Sequence, residues 1–200
     1  MPEGLSPADL RFMDAALALA FSGLGRTAPN PSVGCVIVKE GRVVGAAVTA
    51  PSGRPHAEAQ ALEQAAEAAR GADAYVTLEP CAHHGETPPC AEALVRAGVA
   101  RVLIACADPD PRVSGRGAAI LRDAGITVVE RVREAAGERV NAGFFTRLKT
   151  GRPLVAQDAR AGLYDADLAP GPDETVDQAL DRLGREGMTR VRLAAPPPVR

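Results

Sequence analysis

The chain has 200 residues, enough for one core of ordinary size with a short appendage. Its formal net charge of −2 excludes a polybasic nucleic-acid binder, and 3% aromatic content with no Trp argues against a base-stacking platform. No stretch reaches the ~18 uninterrupted apolar residues of a membrane span, and Met1-Pro2-Glu3-Gly4 lacks the basic start of a signal peptide. A cytoplasmic protein is expected, whose four cysteines are metal ligands or buried thiols rather than disulfides.

Ser6-Pro7-Ala8-Asp9 predicts a helix start, with Ser as N-cap, Pro at the first helical position and an acid in the first turn. That helix runs through Met13, Leu17 and Ala20 and stops near Gly23. A Pro-flanked loop, Thr27-Ala28-Pro29-Asn30-Pro31, leads to a buried strand over 33–38, a turn at Glu40-Gly41 and a second strand over 42–48. Pro55 opens a second helix, expected from His56 to about Arg70. Then come a strand over 74–78, a helix over 90–97, a strand over 102–105, a helix over 117–124 and a strand over 127–129. This alternation predicts a three-layer α/β/α domain with a mixed, largely parallel five-stranded sheet.

After about Arg147 the character changes and prolines accumulate. Residues 1–147 are read as the main domain and 148–200 as a short tail. An amphipathic helix from Thr175 to Arg185 and a strand-like Arg190-Val191-Arg192-Leu193 are expected in the tail.

Two local patterns carry chemistry: Pro55-His56-Ala57-Glu58 at a helix start, and Glu79-Pro80-Cys81 followed by Pro88-Pro89-Cys90. One imidazole and two thiolates form a three-ligand set for Zn2+, and three ligands leave a coordination position open, which suits catalysis rather than a structural site. His56 and Cys90 each fall where a helix begins, and the positive end of a helix dipole favours a thiolate. Glu58 lies two residues past His56, about 200° around an ideal helix, so it is placed to move protons beside the metal rather than to bind it. His-x-Glu followed by two Pro-flanked cysteines is the pattern of zinc nucleobase deaminases, except that eight residues rather than two separate Cys81 from Cys90.

At these residues the chain resembles the deaminase half of the bifunctional riboflavin-biosynthesis deaminase/reductase family, within the cytidine-deaminase-like superfamily. The resemblance extends over residues 8–153 and includes Ala28-Pro29-Asn30-Pro31-Ser32-Val33-Gly34, Tyr75 to Gly85, Asp108-Pro109-Asp110-Pro111 and Asn141-Ala142-Gly143-Phe144-Phe145. The eight-residue cysteine gap is characteristic of that family. The resemblance implies a hydrolase acting on a cyclic amidine C–N bond. The amine would be the 2-amino group of a 2,5-diamino-6-ribosylamino-pyrimidinone phosphate, a small-molecule substrate, with neither nucleic acid nor membrane as partner. It further implies that Asn30 hydrogen-bonds the ring and that Asp108 and Asp110 contact the ribosyl side. The chain departs from the family at Glu86, where a Lys or Arg suited to the substrate phosphate is usual, and at Thr49, where a His is common. Glu86 would face the substrate and repel a phosphate, which leaves open a second reading, a deaminase of another, unphosphorylated aminated heterocycle. A third reading, a non-catalytic zinc scaffold, has no use for Glu58.

The family's next motif, a Lys followed by Ser-Leu-Asp-Gly, would fall in 157–165, where this chain reads Gln-Asp-Ala-Arg-Ala-Gly-Leu-Tyr-Asp. No NADPH binding is expected, and 148–200 is read as a degenerate remnant of a reductase domain. His83 and His84 are assigned to loop packing, and Cys35 and Cys106 to small buried side chains. Related folds assemble as dimers or tetramers, so a homo-oligomer is expected.

Overall fold

A computed structural model of the chain describes residues 5–82, 88–110 and 114–194. The first helix, α1 (Pro7–Ser22), starts at the expected cap: Ser6 Oγ accepts the Asp9 N–H at 3.1 Å, and Asp9 Oδ2 accepts the Ser6 N–H at 2.8 Å. This reciprocal box satisfies donors that a helix start leaves without intrahelical partners.

Strands β1 (Gly34–Lys39) and β2 (Arg42–Val48) form a hairpin closed by Glu40 and Gly41, both at positive φ, the geometry that matches the twist of the flanking strands. The chain continues through α2 (Ala57–Ala65), β3 (Asp73–Leu78), α3 (Cys90–Ala97), β4 (Arg101–Cys106), α4 (Arg116–Asp123) and β5 (Thr127–Val129). The sheet order is β2-β1-β3-β4-β5. Strand β1 runs antiparallel to both β2 and β3, while β3, β4 and β5 are mutually parallel, so four strands point one way and β1 opposes them. This is the mixed, largely parallel five-stranded sheet expected.

Both sheet faces are covered, which is why β1, β3 and β4 read as nearly continuous apolar runs. Alternate residues divide between two cores. Cys35, Ile37, Val76, Val102 and Ile104 pack with Ala57, Ala61, Leu94 and Leu121 of α2, α3 and α4. Val36, Val38, Tyr75, Leu103 and Ala105 pack with Met13, Ala16 and Leu17 of α1. Cys35 and Cys106 are buried free thiols, as expected.

Helix α2 is shorter than its composition suggests. It stops at Ala65, Ala66 turns to φ 45°, and a 3-10 turn occupies Ala66–Ala69 before β3. No Gly or Pro marks the break; burial of Ala69 and Ala72 against the sheet overrides the propensity of an alanine-rich run.

Helix α5 (Glu134–Thr150) follows β5 and was not among the expected elements. It lies on the α1 side and then leads into a second sheet of three parallel strands in the order β6-β8-β7. These are β6 (Leu154–Asp158), β7 (Ala166–Asp167) and β8 (Arg190–Ala194), with α6 (Val176–Arg185) before β8. The expected tail helix and last strand are therefore present. The small sheet packs close to α5: a Cβ on Gly143 would overlap the Arg190 side chain, and Arg147 Nε donates to the Gly184 carbonyl at 2.9 Å. No helix among the described residues is long and apolar enough to cross a membrane.

Candidate metal centre and active site

Strand β3 ends at Leu78, and the chain turns through Glu79 and Pro80 to Cys81 at the carboxyl end of the strand. His56 is the N-cap residue of α2, and Cys90 is the first residue of α3. Both helix starts converge on Cys81. His56 Nδ1 lies 3.7 Å from Cys81 Sγ and 3.3 Å from Cys90 Sγ, and the three donor atoms all fall within 4.8 Å of one another. Tetrahedral Zn2+ with ordinary bond lengths separates a nitrogen and a sulfur ligand by about 3.6 Å. The two measured separations bracket that value, so the residues fit the metal that their chemistry suggests.

The electrostatics also favour a cation. The Cys81 sulfur accepts the backbone N–H of Cys90 at 3.2 Å, at the positive end of α3. Hydrogen bonding from the Cys90 thiol, opposed by burial and helped by His56 and that N–H, brings Cys81 down to about 4. Cys90 is pushed far up because it holds the proton bonded to Cys81, because it is buried, and because Glu58 is close. The His56 imidazole is raised, first by its hydrogen bond to Cys81. A shared proton therefore stands where a divalent cation would satisfy two thiolates.

Glu58 sits in the first turn of α2 and is buried. Burial first, and the Cys81 charge second, raise its carboxyl to about 7, against the attraction of His56. A carboxyl group held there exchanges protons in both directions near neutral pH.

These groups open onto a pocket of about 590 Å3, counting its mouth. Asn30 and Asp108 line it together with Glu58, His56 and Cys81. The Asn30 loop is braced by one backbone and one side-chain hydrogen bond, with Asn30 N–H donating to Thr27 O at 3.0 Å and Thr27 Oγ1 donating to Asn30 O at 3.2 Å. Asp108 lines the pocket while its Oδ1 accepts the Asp110 N–H at 2.9 Å, so it also closes a turn. Asp110 does not line this pocket; it borders a neighbouring groove with Phe145, Leu148 and Lys149. Glu86, His83 and His84 lie outside the described residues.

Four further residues of the pocket region have no role in the sequence reading. Arg54 lines the pocket two residues before His56, and Phe144 lines it from α5. Glu79 lines it too, and its carboxylate accepts the N–H groups of Gly115, Gly117 and Ala118 at the start of α4. Gly53, at φ 92°, leaves room for the Asn30 amide, which a Cβ there would overlap. The signals for Arg54 and Gly53 were local, a cation and a glycine just before Pro55-His56. Glu79 stands inside the Glu79-Pro80-Cys81 pattern, but nothing there announces its capping role, because its partners lie more than thirty residues downstream.

Comparison with known proteins agrees with this geometry. The profile of the cytidine and deoxycytidylate deaminase zinc-binding region matches residues 6–106. The riboflavin biosynthesis protein RibD of Escherichia coli (strain K12) is 50% identical over 155 residues, which are 78% of this chain and 42% of that protein. The diaminohydroxyphosphoribosylamino-pyrimidine deaminase of Buchnera aphidicola is 47% identical over 145 residues, 72% of this chain and 99% of that protein. Thus the chain spans less than half of its RibD relative and nearly all of the shorter deaminase. Among solved structures, Acinetobacter baumannii RibD, form 2, superposes with a TM-score of 0.71 at 48% identity, over 83% of this chain and 44% of that one. The deaminase/reductase of Thermotoga maritima superposes with a TM-score of 0.82 at 26% identity, over 94% of this chain and 81% of that one.

Proposed function

Because the chain belongs to the cytidine and deoxycytidylate deaminase family, and within it with the diaminohydroxyphosphoribosylamino-pyrimidine deaminases, we propose that it is a zinc-dependent hydrolytic deaminase. Its substrate on this reading is the 2,5-diamino-6-ribosylamino-pyrimidinone phosphate named above, which exchanges its 2-amino group for oxygen. The observation that carries the reading is the convergence of His56, Cys81 and Cys90 on one point beside buried Glu58, at the floor of a pocket.

His56 Nδ1 and the sulfurs of Cys81 and Cys90 would hold Zn2+, which supplies a Lewis acid that lets water attack near neutral pH. Glu58 takes a proton from the attacking water and delivers it to the ring nitrogen beside the reacting carbon. A second transfer through the same carboxyl group protonates the leaving amine. The balance is water added, ammonia released and a carbonyl left on the ring. Asn30 orients the ring, and Asp108 is positioned for the ribosyl side.

Residues 148–200 are read as derived from a reductase domain. The likeness to the Thermotoga maritima deaminase/reductase supports this, since coverage of 94% of the chain must include most of that tail. A thiolate metal site and four free cysteines suit a reducing compartment, which supports a cytoplasmic location. Exposed Val155 and Leu193 on the second sheet support a homo-oligomer, a dimer or tetramer, which light scattering would test.

A deaminase of an unphosphorylated heterocycle is the second reading. Its specific support is Thr49, a residue of the pocket wall that adds no cation and whose hydroxyl accepts the Val33 N–H at 2.9 Å. Ammonia release by the zinc-loaded chain from the phosphorylated and dephosphorylated diaminopyrimidinones separates the two. Turnover of the phosphorylated form supports the first reading; turnover of the dephosphorylated form alone supports the second; turnover of neither overturns both.

A further inference from the structure

The pocket wall carries three carboxylates, Glu58, Glu79 and Asp108. Among the described residues lining it, Arg54 alone brings a permanent cation. Three acids around one opening oppose an anionic substrate, so a phosphorylated ligand needs a compensating charge at the position where its phosphate sits.

Arg54 is built for that position. Glu58 is buried at the floor, where the reacting ring must go, whereas Arg54 is exposed at the rim. Its backbone is extended, φ −142° and ψ 143°, at the end of a braced turn. In that turn Ser52 N–H donates to Arg26 O at 2.8 Å, Gly53 N–H donates to Ala50 O at 2.9 Å, and Ala50 N–H donates to Pro55 O at 3.1 Å. Two of the three acids are engaged elsewhere: Glu79 by the amides of α4 and Asp108 by the Asp110 N–H.

We propose that Arg54 is the anion-recognition residue of this pocket, its guanidinium binding the phosphate of the substrate while the ring lies against His56 and Glu58. The planar fork offers two parallel N–H donors to a phosphate oxygen pair, a geometry a lysine cannot reproduce. This inference rests on the deaminase reading for the identity of the ligand and on the pocket alone for the anion site.

The test uses the zinc-loaded full chain and its Arg54→Ala and Arg54→Lys variants, with unfolding midpoints checked to confirm that each folds. Two quantities are read: the ratio of kcat/KM for the phosphorylated over the dephosphorylated diaminopyrimidinone, and the dissociation constant of ribose 5-phosphate by calorimetry. Arg54→Ala is expected to lower the ratio roughly 10- to 100-fold, through KM, and to weaken ribose 5-phosphate to a similar degree, the size of a lost charge-assisted contact. Arg54→Lys is expected to recover part of both. A ratio unchanged within about twofold, or ribose 5-phosphate that binds the Ala variant as well as the parent or binds neither, overturns the proposal. If the parent releases ammonia from neither substrate yet binds ribose 5-phosphate in an Arg54-dependent way, the deaminase reading fails and the anion site stands.

Discussion

Glu79 and Gly117 are joined across 38 residues of chain: Glu79 Oε1 accepts the Gly117 N–H at 3.0 Å. The same oxygen accepts the Ala118 N–H at 3.3 Å, and Oε2 accepts the Gly115 N–H at 3.0 Å. One buried carboxylate thus satisfies three donors at the start of α4, at the positive end of its dipole. Because Glu79 stands two residues before Cys81, this cap also ties the loop that carries Asp108 to the metal-binding turn. Glu79→Ala is expected to destabilise the fold by about 2–4 kcal/mol, from the lost cap and the unsatisfied amides. Urea unfolding checks this, and an unchanged midpoint would show that the cap contributes nothing.

Glu58→Gln keeps the shape and burial of the side chain and removes its ability to accept a proton. The variant is expected to bind one Zn2+ per chain, to unfold at a midpoint close to the parent, and to release ammonia about 10³-fold more slowly. Metal content by atomic absorption and ammonia by a coupled assay give the two readouts. Turnover near the parental rate would remove Glu58 from the mechanism.

What was legible in the sequence was what is local. Ser6 and Asp9 announce α1 within four residues, and His56, Glu58, Cys81 and Cys90 announce the metal centre through two short motifs beside prolines. Helix α5 escaped because Gly137, Asn141 and Gly143 lower its propensity, and Gly143 is there for the tertiary contact with Arg190. Strands β6 and β7 pair only with β8, across more than twenty residues, and β7 is two residues long. Arg54 adjoins His56 in sequence, but its place on the pocket wall depends on the turn over 50–55.

Acid stability follows from Asp9. Burial works to raise its carboxyl, but hydrogen bonds from Tyr75 Oη at 2.7 Å and from Ser6, with the Arg101 guanidinium at 2.9 Å, outweigh it and bring the group from 3.8 to about 2. A depressed folded value means that the carboxylate stabilises the fold above the unfolded value and that this contribution is lost as pH falls through the folded one. About 2 kcal/mol is therefore expected to disappear between pH 4 and pH 2. In Asp9→Asn that part of the pH dependence is absent. Urea unfolding at several pH values compares them, and parallel curves would exclude Asp9 as the source.

Metal removal should expose Cys81. With the Cys81 thiol held at about 4, the metal-free protein carries a thiolate at neutral pH, half-buried and within reach of an alkylating reagent. Iodoacetamide after chelation is expected to label Cys81 first, Cys35 and Cys106 remaining unlabelled because both are buried. Added Zn2+ should suppress the labelling. Peptide mass mapping identifies the site, and labelling that Zn2+ does not slow would argue against Cys81 as a ligand.

Gly53 is expected to control substrate affinity through Asn30. At φ 92° it occupies backbone space that side-chain-bearing residues rarely adopt, and a Cβ there would overlap the Asn30 amide. Gly53→Ala therefore combines backbone strain of about 1–2 kcal/mol with displacement of the side chain of Asn30, a residue of the pocket wall. The strain lowers the urea midpoint; the displacement acts separately, lowering kcat/KM by about 10-fold, the size of one lost hydrogen bond to the ring. Zinc content should not change, because neither residue is one of the three donors. A variant that loses stability while retaining parental kcat/KM would show that the Asn30 amide does not hold the ring.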